Sequence, residues 1–164
     1  MLVKIPEERK AILIGKDGST KSKIERLTQT KLVIAKEIVI EGNPEAILKA
    51  EEIVKAVGRG FAPNTALKLI RDGMQLDVIN IKGSPNTIKR LLARVIGTQG
   101  KARRNMENLT GASIAVLGKT ISIIGNNKQA QEARLAVEML LAGRKHATVW
   151  RCLEDIKRED SGTH

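Results

Sequence analysis

The chain has 164 residues, of which 41% are hydrophobic, and a formal net charge of +11 at pH 7. This length allows one or two small domains, and the excess of cations favours a polyanionic partner, most commonly nucleic acid. One Phe, one Trp and no Tyr argue against RNA-binding sheets and OB folds that stack bases on aromatic side chains.

Residues 1–60 are predicted to form a domain with the order strand, helix, helix, strand, strand, helix. Pro6 suits the first turn of a helix, and Ser19 or Thr20 can cap the next one. Gly15 and Gly18 separate these two helices. The predicted elements are a strand at 2–5, a helix from about 6 to the glycine pair, a helix from about 19, strands at 32–34 and 38–40, and a helix from 43–44.

Residues 61–74 are predicted to be a linker that contains a short helix. Two glycines and a proline within residues 58–64 interrupt regular structure at this point of the chain. The short helix is expected at 66–71, where Gly73 stops it.

Residues 75–144 are predicted to form a second domain that repeats the first. Ile-Gly-Lys-Asp-Gly at 14–18 recurs as Ile-Gly-Thr-Gln-Gly at 96–100, an offset of 82, and the last strand recurs at an offset of 83. The offset at the end of the first strand is 76, so the first helix of this copy should be longer by about six residues, or roughly one and a half turns. The predicted elements are a strand at 76–81, helices at 84–96 and 101–109, strands at 114–117 and 120–124, and a helix at 130–141.

Residues 145–164 are predicted to be a C-terminal helix, at 148–158, followed by a loose tail at 161–164. Val149, Leu153 and Ile156 are spaced by four and three residues, which makes one apolar stripe. Trp150 lies beside this stripe. It could stack on a base, but a lone Trp on such a helix is more often buried, so we expect it to anchor the helix.

The repeated order predicts an α+β fold of two tandem type I KH domains (β-α-α-β-β-α), with a short helical linker and a C-terminal helix. In a KH domain the Gly-x-x-Gly loop clamps four backbone nucleotides. Glycines without Cβ let the backbone approach a phosphate, and the free N–H groups that open the next helix attract anions. Two such loops in the same element order argue against a plain helix–helix turn.

The positive charge is concentrated in the second copy. Residues 1–60 contain 12 Lys and Arg against 9 Asp and Glu, a net of +3, whereas residues 75–144 contain 11 against 4, a net of +7. In the first copy Asp17 would repel a phosphate. Two roles therefore stay open for the first domain: it could bind RNA, or it could serve packing or contact with a protein. The predicted RNA-binding residues are Lys89, Arg90, Arg94, Ile96, Gly97, Thr98, Gln99, Gly100, Lys101, Arg103 and Arg104 in the second copy, and Gly15, Lys16, Asp17, Gly18, Lys21 and Lys23 in the first.

Several segments together resemble one family. They are Gly-Arg-Gly-Phe-Ala-Pro at 58–63 with residues 66, 67 and 69, then 96–104, 109–111, 118–120, 123–125, 133–141 and His146. This combination resembles the archaeal form of the pre-ribosomal KH proteins known as partner of Nob, or Dim proteins. The resemblance implies a small-subunit ribosome biogenesis factor that binds single-stranded RNA near the 3′ end of precursor 16S-type rRNA. It implies the Nob endonuclease and small-subunit precursors as partners, with the protein assisting rRNA processing.

Three other classes of protein fit the sequence less well. A KH-type transcription elongation or termination factor usually has KH domains of the other type, whereas a strand pair after the Gly-x-x-Gly favours type I. A protein-interaction module made of degenerate KH folds would differ in its RNA affinity at physiological salt. An enzyme is least favoured, because the chain has no Ser/His/Asp or Cys/His set. Residues 118–120 lack the glycine spacing of a P-loop and are predicted to be a hairpin turn.

No metal, cofactor or membrane partner is expected. Cys152 is the only cysteine, which excludes an internal disulfide and a Cys-rich zinc site. His146 and His164 lie 18 positions apart, without paired-ligand spacing. No apolar run has the length of a signal peptide or a membrane span, so a cytoplasmic location is expected.

Overall fold

A computed structural model describes residues 1–162, and the chain divides into two units, Met1–Leu76 and Asp77–His164. Each unit has a three-stranded sheet and helices in the order of a type I KH domain. The predicted fold class, α+β with two tandem type I KH domains, is confirmed. No helix within residues 1–162 is long and apolar enough to cross a membrane.

The first unit follows the predicted order and adds a short helix after it. Its elements are β1 (Leu2–Val3), α1 (Glu7–Ile14), α2 (Ser19–Thr28), β2 (Lys31–Ile34), β3 (Ile38–Glu41), α3 (Pro44–Gly58) and α4 (Pro63–Ala66), with 3-10 turns at Lys16–Gly18 and Leu67–Ile70. The strand order is β1-β3-β2, with antiparallel pairing throughout. Leu32, Ile38 and Ile40 are buried, because the period of two along a strand places alternate residues on one face.

The second unit repeats this order and adds a long terminal helix. Its elements are β4 (Gln75–Asn80), α5 (Pro85–Ile96), α6 (Lys101–Thr110), β5 (Ser113–Leu117), β6 (Thr120–Gly125), α7 (Asn127–Leu141) and α8 (His146–Gly162), with a 3-10 turn at Thr98–Gly100. The strand order is β4-β6-β5, so β5 is an edge strand. Gly118 and Lys119 form the turn between β5 and β6, which confirms the predicted hairpin.

The core of the second unit joins all of its helices to the sheet. Val95 from α5, Met106 from α6 and Leu140 from α7 are fully buried together with residues of β6. Val149 and Leu153 of α8, which are 0% and 3% exposed, belong to the same core. The apolar stripe predicted on the terminal helix therefore holds α8 against α6 and α7.

Several predicted bounds differ from the structure. The linker helix expected at 66–71 begins earlier, at Pro63, and passes into a 3-10 turn at Leu67–Ile70, and β1 ends at Val3. α5 has 12 residues against 8 in α1, so it is longer by four residues, about one turn, rather than six. It begins at Pro85, because Ser84 ends the preceding connection and its Oγ accepts a hydrogen bond from the N–H of Thr87. α8 includes Ser161, whose hydroxyl donates to the carbonyl of Lys157, so residues 161 and 162 are helical and not a loose tail. Residues 163 and 164 of the predicted tail lie outside the described residues.

Candidate nucleic-acid interface

The two Gly-x-x-Gly loops have the same backbone conformation. In the first loop (residues 15–18) the φ angles of the first, third and fourth residues are 75°, 55° and 75°. In the second loop (residues 97–100) they are 75°, 54° and 76°. Three positive φ angles turn the chain directly from one helix into the next, which is the predicted helix–loop–helix.

The first position of each loop must be glycine, because the next helix packs too closely against it to leave room for a Cβ. Gly97, with φ 75° and ψ 175°, occupies a region of backbone space that is essentially restricted to glycine. A Cβ there would lie 2.6 Å from the backbone nitrogen of Ala102, and a Cβ at Gly15 would lie 2.8 Å from that of Thr20. A side chain would therefore push the two helices apart and distort the loop.

The second loop presents a neutral surface at the start of a helix. Thr98 and Gln99 are exposed, and α6 begins directly after the loop at Lys101. Within residues 1–162 no N-cap side chain bonds to the first turn of α6, and such amide groups attract anions. In the first loop the place of Gln99 is taken by Asp17, whose negative charge opposes a phosphate.

Four of the predicted cations, Arg94 among them, are held by contacts within their own unit. Arg103 donates to the carboxylate of Glu107 at 3.1 Å and to the backbone carbonyl of Ile114 at 3.4 Å. Arg104 donates to the backbone carbonyl of Gln99 at 2.7 Å, which holds its charge beside the second loop. In the first unit, the cation held in this way is Lys21, whose ammonium lies 3.5 Å from the carboxylate of Glu25.

A repeated carboxylate ties the second helix of each unit to the edge strand. Glu107 Oε2 accepts a hydrogen bond from the N–H of Ile114 at 2.9 Å, and Glu25 Oε2 accepts one from Leu32 at 2.9 Å. Sequence analysis missed this pair. The available signal was that the two glutamates are 82 residues apart, the same offset as the loops.

Arg94 has a structural contact that the sequence did not reveal. Its Nε donates to the carbonyl of Leu140 at 3.0 Å, and its Nη2 donates to the carbonyl of Arg144. The carbonyl of Leu140 also accepts from the N–H of Gly143 at 3.1 Å, so Arg94 adds a second hydrogen bond at the C-terminal end of α7 and joins α5 to the turn that follows. Its Nε and Nη2 groups therefore already have acceptors within the protein. Its role in RNA binding stays a prediction.

The other predicted cations are available to a ligand. Lys89, Arg90 and Lys101 around the second loop are exposed and make no hydrogen bond or ion pair within residues 1–162. The same holds for Lys16 and Lys23 around the first loop. Arg90 and Lys101 line one cavity together with the second loop, so the fold brings cations from both flanking helices to the same place.

Trp150 packs against the core of the second unit but is less buried than expected. Val149 and Leu153 are the buried anchors of α8, whereas Trp150 is only partly buried and lines the cavity beside the second loop. Its ring centroid lies 5.9 Å from that of His146, at an interplanar angle of 53°. The expectation that Trp150 anchors the helix therefore holds only in part: the indole packs against the core, but Val149 and Leu153 fill that core and leave the indole at its margin.

Both halves of the chain match KH family models. A model described as a eukaryotic-type KH domain, KH-domain type I, matches residues 74–158. A KH domain model matches residues 1–56.

Related proteins resemble the chain over most of its length. A KH domain-containing protein of Methanocaldococcus jannaschii is 45% identical, over 93% of this chain and 72% of its own length. The RNA-binding protein pno1 of Dictyostelium discoideum is 27% identical, over 83% of this chain and 59% of its own length.

Solved structures share the fold closely. Dim2p from Pyrococcus horikoshii is 41% identical with a TM-score of 0.88, over 94% of this chain and 98% of that one. The same protein in a complex with a/eIF2alpha and rRNA gives 41% identity and a TM-score of 0.89, over 97% of this chain and 94% of that one. The sequence resemblance, the two KH matches and these structures agree, and the chain belongs to the partner-of-Nob, or Dim-type, family of proteins with two KH domains.

Proposed function

We propose that this chain is a ribosome biogenesis factor that binds single-stranded RNA through the second loop and the residues flanking it. The RNA is rRNA, near the 3′ end of the 16S-type precursor. The role is binding without catalysis, and it assists the processing step carried out by a Nob-type endonuclease on small-subunit precursors. The solved complex of the Pyrococcus protein with rRNA supports the choice of RNA.

One observation supports the second loop above all: its backbone matches that of the first loop, but its exposed centre carries no acid. Gln99 stands where Asp17 stands, with φ angles of 54° and 55°. A phosphate at the second loop therefore meets backbone N–H groups, and the exposed Lys101 adds a positive charge next to it. The same phosphate at the first loop would meet a carboxylate.

The bases would then run along the groove between the helices and the edge strand β5. Glu107 and Arg103 already bond to the N–H and carbonyl of Ile114 on that edge. A base that pairs with the strand edge must share or displace these contacts. This makes the groove a place where hydrogen-bond geometry can discriminate between bases.

Crosslinking of the protein to RNA in cells, followed by sequencing of the bound RNA, tests the proposal. The wild-type protein should give reads concentrated at the 3′ end of the small-subunit rRNA precursor. The double variant Thr98→Asp with Gln99→Asp should lose these reads at unchanged protein level, because two charges then stand where a phosphate binds.

The double variant is expected to fold, since Asp17 already occupies the position equivalent to Gln99 with nearly the same φ, and the side chain of Thr98 is exposed. Reads that map mainly to other transcripts would overturn the rRNA assignment. Equal crosslinking of wild type and variant would overturn the assignment to the second loop.

A further inference from the structure

A cavity on the α8 side of the second loop is not part of the KH groove described above. Its volume is about 580 Å³, within the range of roughly 300–1,000 Å³ that is typical of small-ligand pockets. Its walls come from α5, the second loop, α6 and α8. The lining residues that matter here are Arg90, Gly97, Thr98, Lys101, Asn105 and Trp150.

The cavity and the KH groove lie on opposite faces of α6. Successive residues of a helix are rotated by about 100°, so Lys101 and Asn105 lie within about 40° of each other. Arg103 and Glu107 point roughly the opposite way, toward the edge strand β5. The second loop thus separates two sites, with the groove on one side and the cavity on the other.

Trp150 is held firmly in the wall of this cavity. α8 is fixed by Val149 and Leu153 in the core, and His146, one turn before Trp150, shares a hydrogen bond of 2.9 Å between its Nε2 and the carbonyl of Arg94. The imidazole of His146 lies against the indole. The ring therefore has a defined place and leaves part of its surface exposed to the cavity.

The combination of groups matches a nucleotide. An exposed indole surface can stack on any base, since every base has a π-face. Arg90 and Lys101 supply charges for a phosphate, and the amide of Asn105 can both donate to and accept from a base edge. An apolar ligand would not need these cations, and an inorganic anion would not need the indole.

We propose that this cavity binds one nucleobase of the same single-stranded RNA, stacked on Trp150 and adjacent to the phosphate on the second loop. The inference rests on the proposed function, because it requires an RNA strand at that loop. The strand would pass over the loop, with about four bases in the KH groove and the flanking base turned into the cavity. The structure thereby gains an aromatic subsite in a chain almost devoid of aromatic residues.

Trp150 is the only tryptophan, so its fluorescence reports on this cavity alone. Random-sequence RNAs of four and eight nucleotides should be titrated into the wild-type protein. The octamer should quench the fluorescence as it binds, because a base stacks on the indole. The tetramer, which fills only the groove, should bind with little quenching.

Substitutions separate stacking from folding. Trp150→Leu keeps an apolar side chain without a π-face and should weaken octamer binding about tenfold, within the effect of one base–aromatic stack, with little change for the tetramer. Trp150→Phe should restore most of the octamer affinity. Arg151→Ala, on an exposed residue of α8 outside the cavity, is the matched control and should leave octamer affinity near wild type.

The outcomes are distinguishable. Octamer binding that is normal in Trp150→Leu and causes no quenching in the wild type overturns the cavity assignment and leaves the proposed function standing. Equal losses in Trp150→Leu and Trp150→Phe, in proteins with the wild-type melting temperature, also overturn the stacking role. Failure of the wild-type protein to bind either RNA overturns both proposals.

Discussion

The first and second loops have nearly identical backbones and very different surroundings. Their φ angles agree within 1°, although only the glycines are common to both four-residue segments. The glycines and the helix that follows them therefore set the shape. The two residues between the glycines, and the neighbouring cations, differ between the loops. We infer that these residues determine whether a loop binds a phosphate.

In both units an arginine of the first helix bonds to carbonyls near the end of a later helix, but from a different position. Arg9 of α1 donates to the carbonyls of Val57 and Phe61 at 2.8 and 2.9 Å, as Arg94 of α5 does at the end of α7. Arg9 stands six residues before its glycine pair, whereas Arg94 stands three before its own. The arginine that makes this contact thus lies one turn nearer the loop in the second unit. For that reason the sequence grouped Arg94 with the cations predicted to bind RNA.

The largest expected effect concerns the glycines that give the loops their common shape. Gly97→Ala should lower the free energy of unfolding by about 3 kcal/mol or more, from the strained backbone region and the contact with Ala102. Gly18→Ala should cost only about 1 kcal/mol, because its Cβ meets nothing within 4 Å and the left-handed region alone is mildly unfavourable. Urea unfolding measures both values. Equal costs would mean that the packing against the following helix is unimportant.

The next effect tests the shared arginine contact. Arg94→Gln and Arg9→Gln should each destabilise the protein by about 2–3 kcal/mol, since each removes two charge-assisted hydrogen bonds to carbonyls at or just beyond the end of a helix. Thermal unfolding measures the loss. Arg90→Gln, on an exposed residue of the same helix α5, is the control and should leave stability within about 0.5 kcal/mol of wild type. A destabilised Arg90→Gln with a stable Arg94→Gln would reverse these two roles.

A charge exchange between the loops should change RNA affinity without changing stability. Gln99→Asp makes the second loop resemble the first and should weaken single-stranded RNA binding about tenfold, as expected for one repulsive charge near a phosphate. Asp17→Gln removes the acid from the first loop and should change affinity less, because fewer cations surround it. Fluorescence anisotropy with labelled RNA measures both. A larger gain from Asp17→Gln than loss from Gln99→Asp would make the first unit the main RNA-binding site.

The smallest effect is a change in salt dependence. With three to five phosphate contacts, the slope of log K against log[salt] should lie between about −2 and −3.5, at about −0.7 per contact. The double variant Lys89→Gln with Arg90→Gln should flatten this slope by about 1 on an RNA long enough to reach both sides of the loop, and hardly at all on a tetranucleotide. A slope near zero for both lengths would favour a protein-interaction role for the +11 charge.

Much of the fold could be predicted because it depends on local signals that occur twice. These signals are the glycine pairs, the strand segments, and the proline and serine at helix starts, and each acts within a few residues. Their repetition at an offset of 82 supports each predicted element. The helix–loop–helix around each glycine pair and the hairpin at Gly118 followed from these signals.

The direction of individual side chains could not be predicted in the same way. Arg94 is three residues before the second loop, but its guanidinium turns toward the end of α7, a contact 46 residues away along the chain. Trp150 is 50 residues beyond Gly100 and reaches the loop only because Val149 and Leu153 set the rotation of α8. Such contacts are decided by tertiary packing, which no local pattern in the sequence records.

Because α8 covers part of the core of the second unit, a fragment of this domain needs α8 in order to fold. A fragment that ends after α7 would expose the apolar surface now covered by Val149 and Leu153 and would lose the cavity wall that contains Trp150. Weak RNA binding by such a fragment would then reflect an incomplete fold. Limited proteolysis or fragment studies of this family should place the boundary of the second KH domain after α8, and treat that helix as part of the domain.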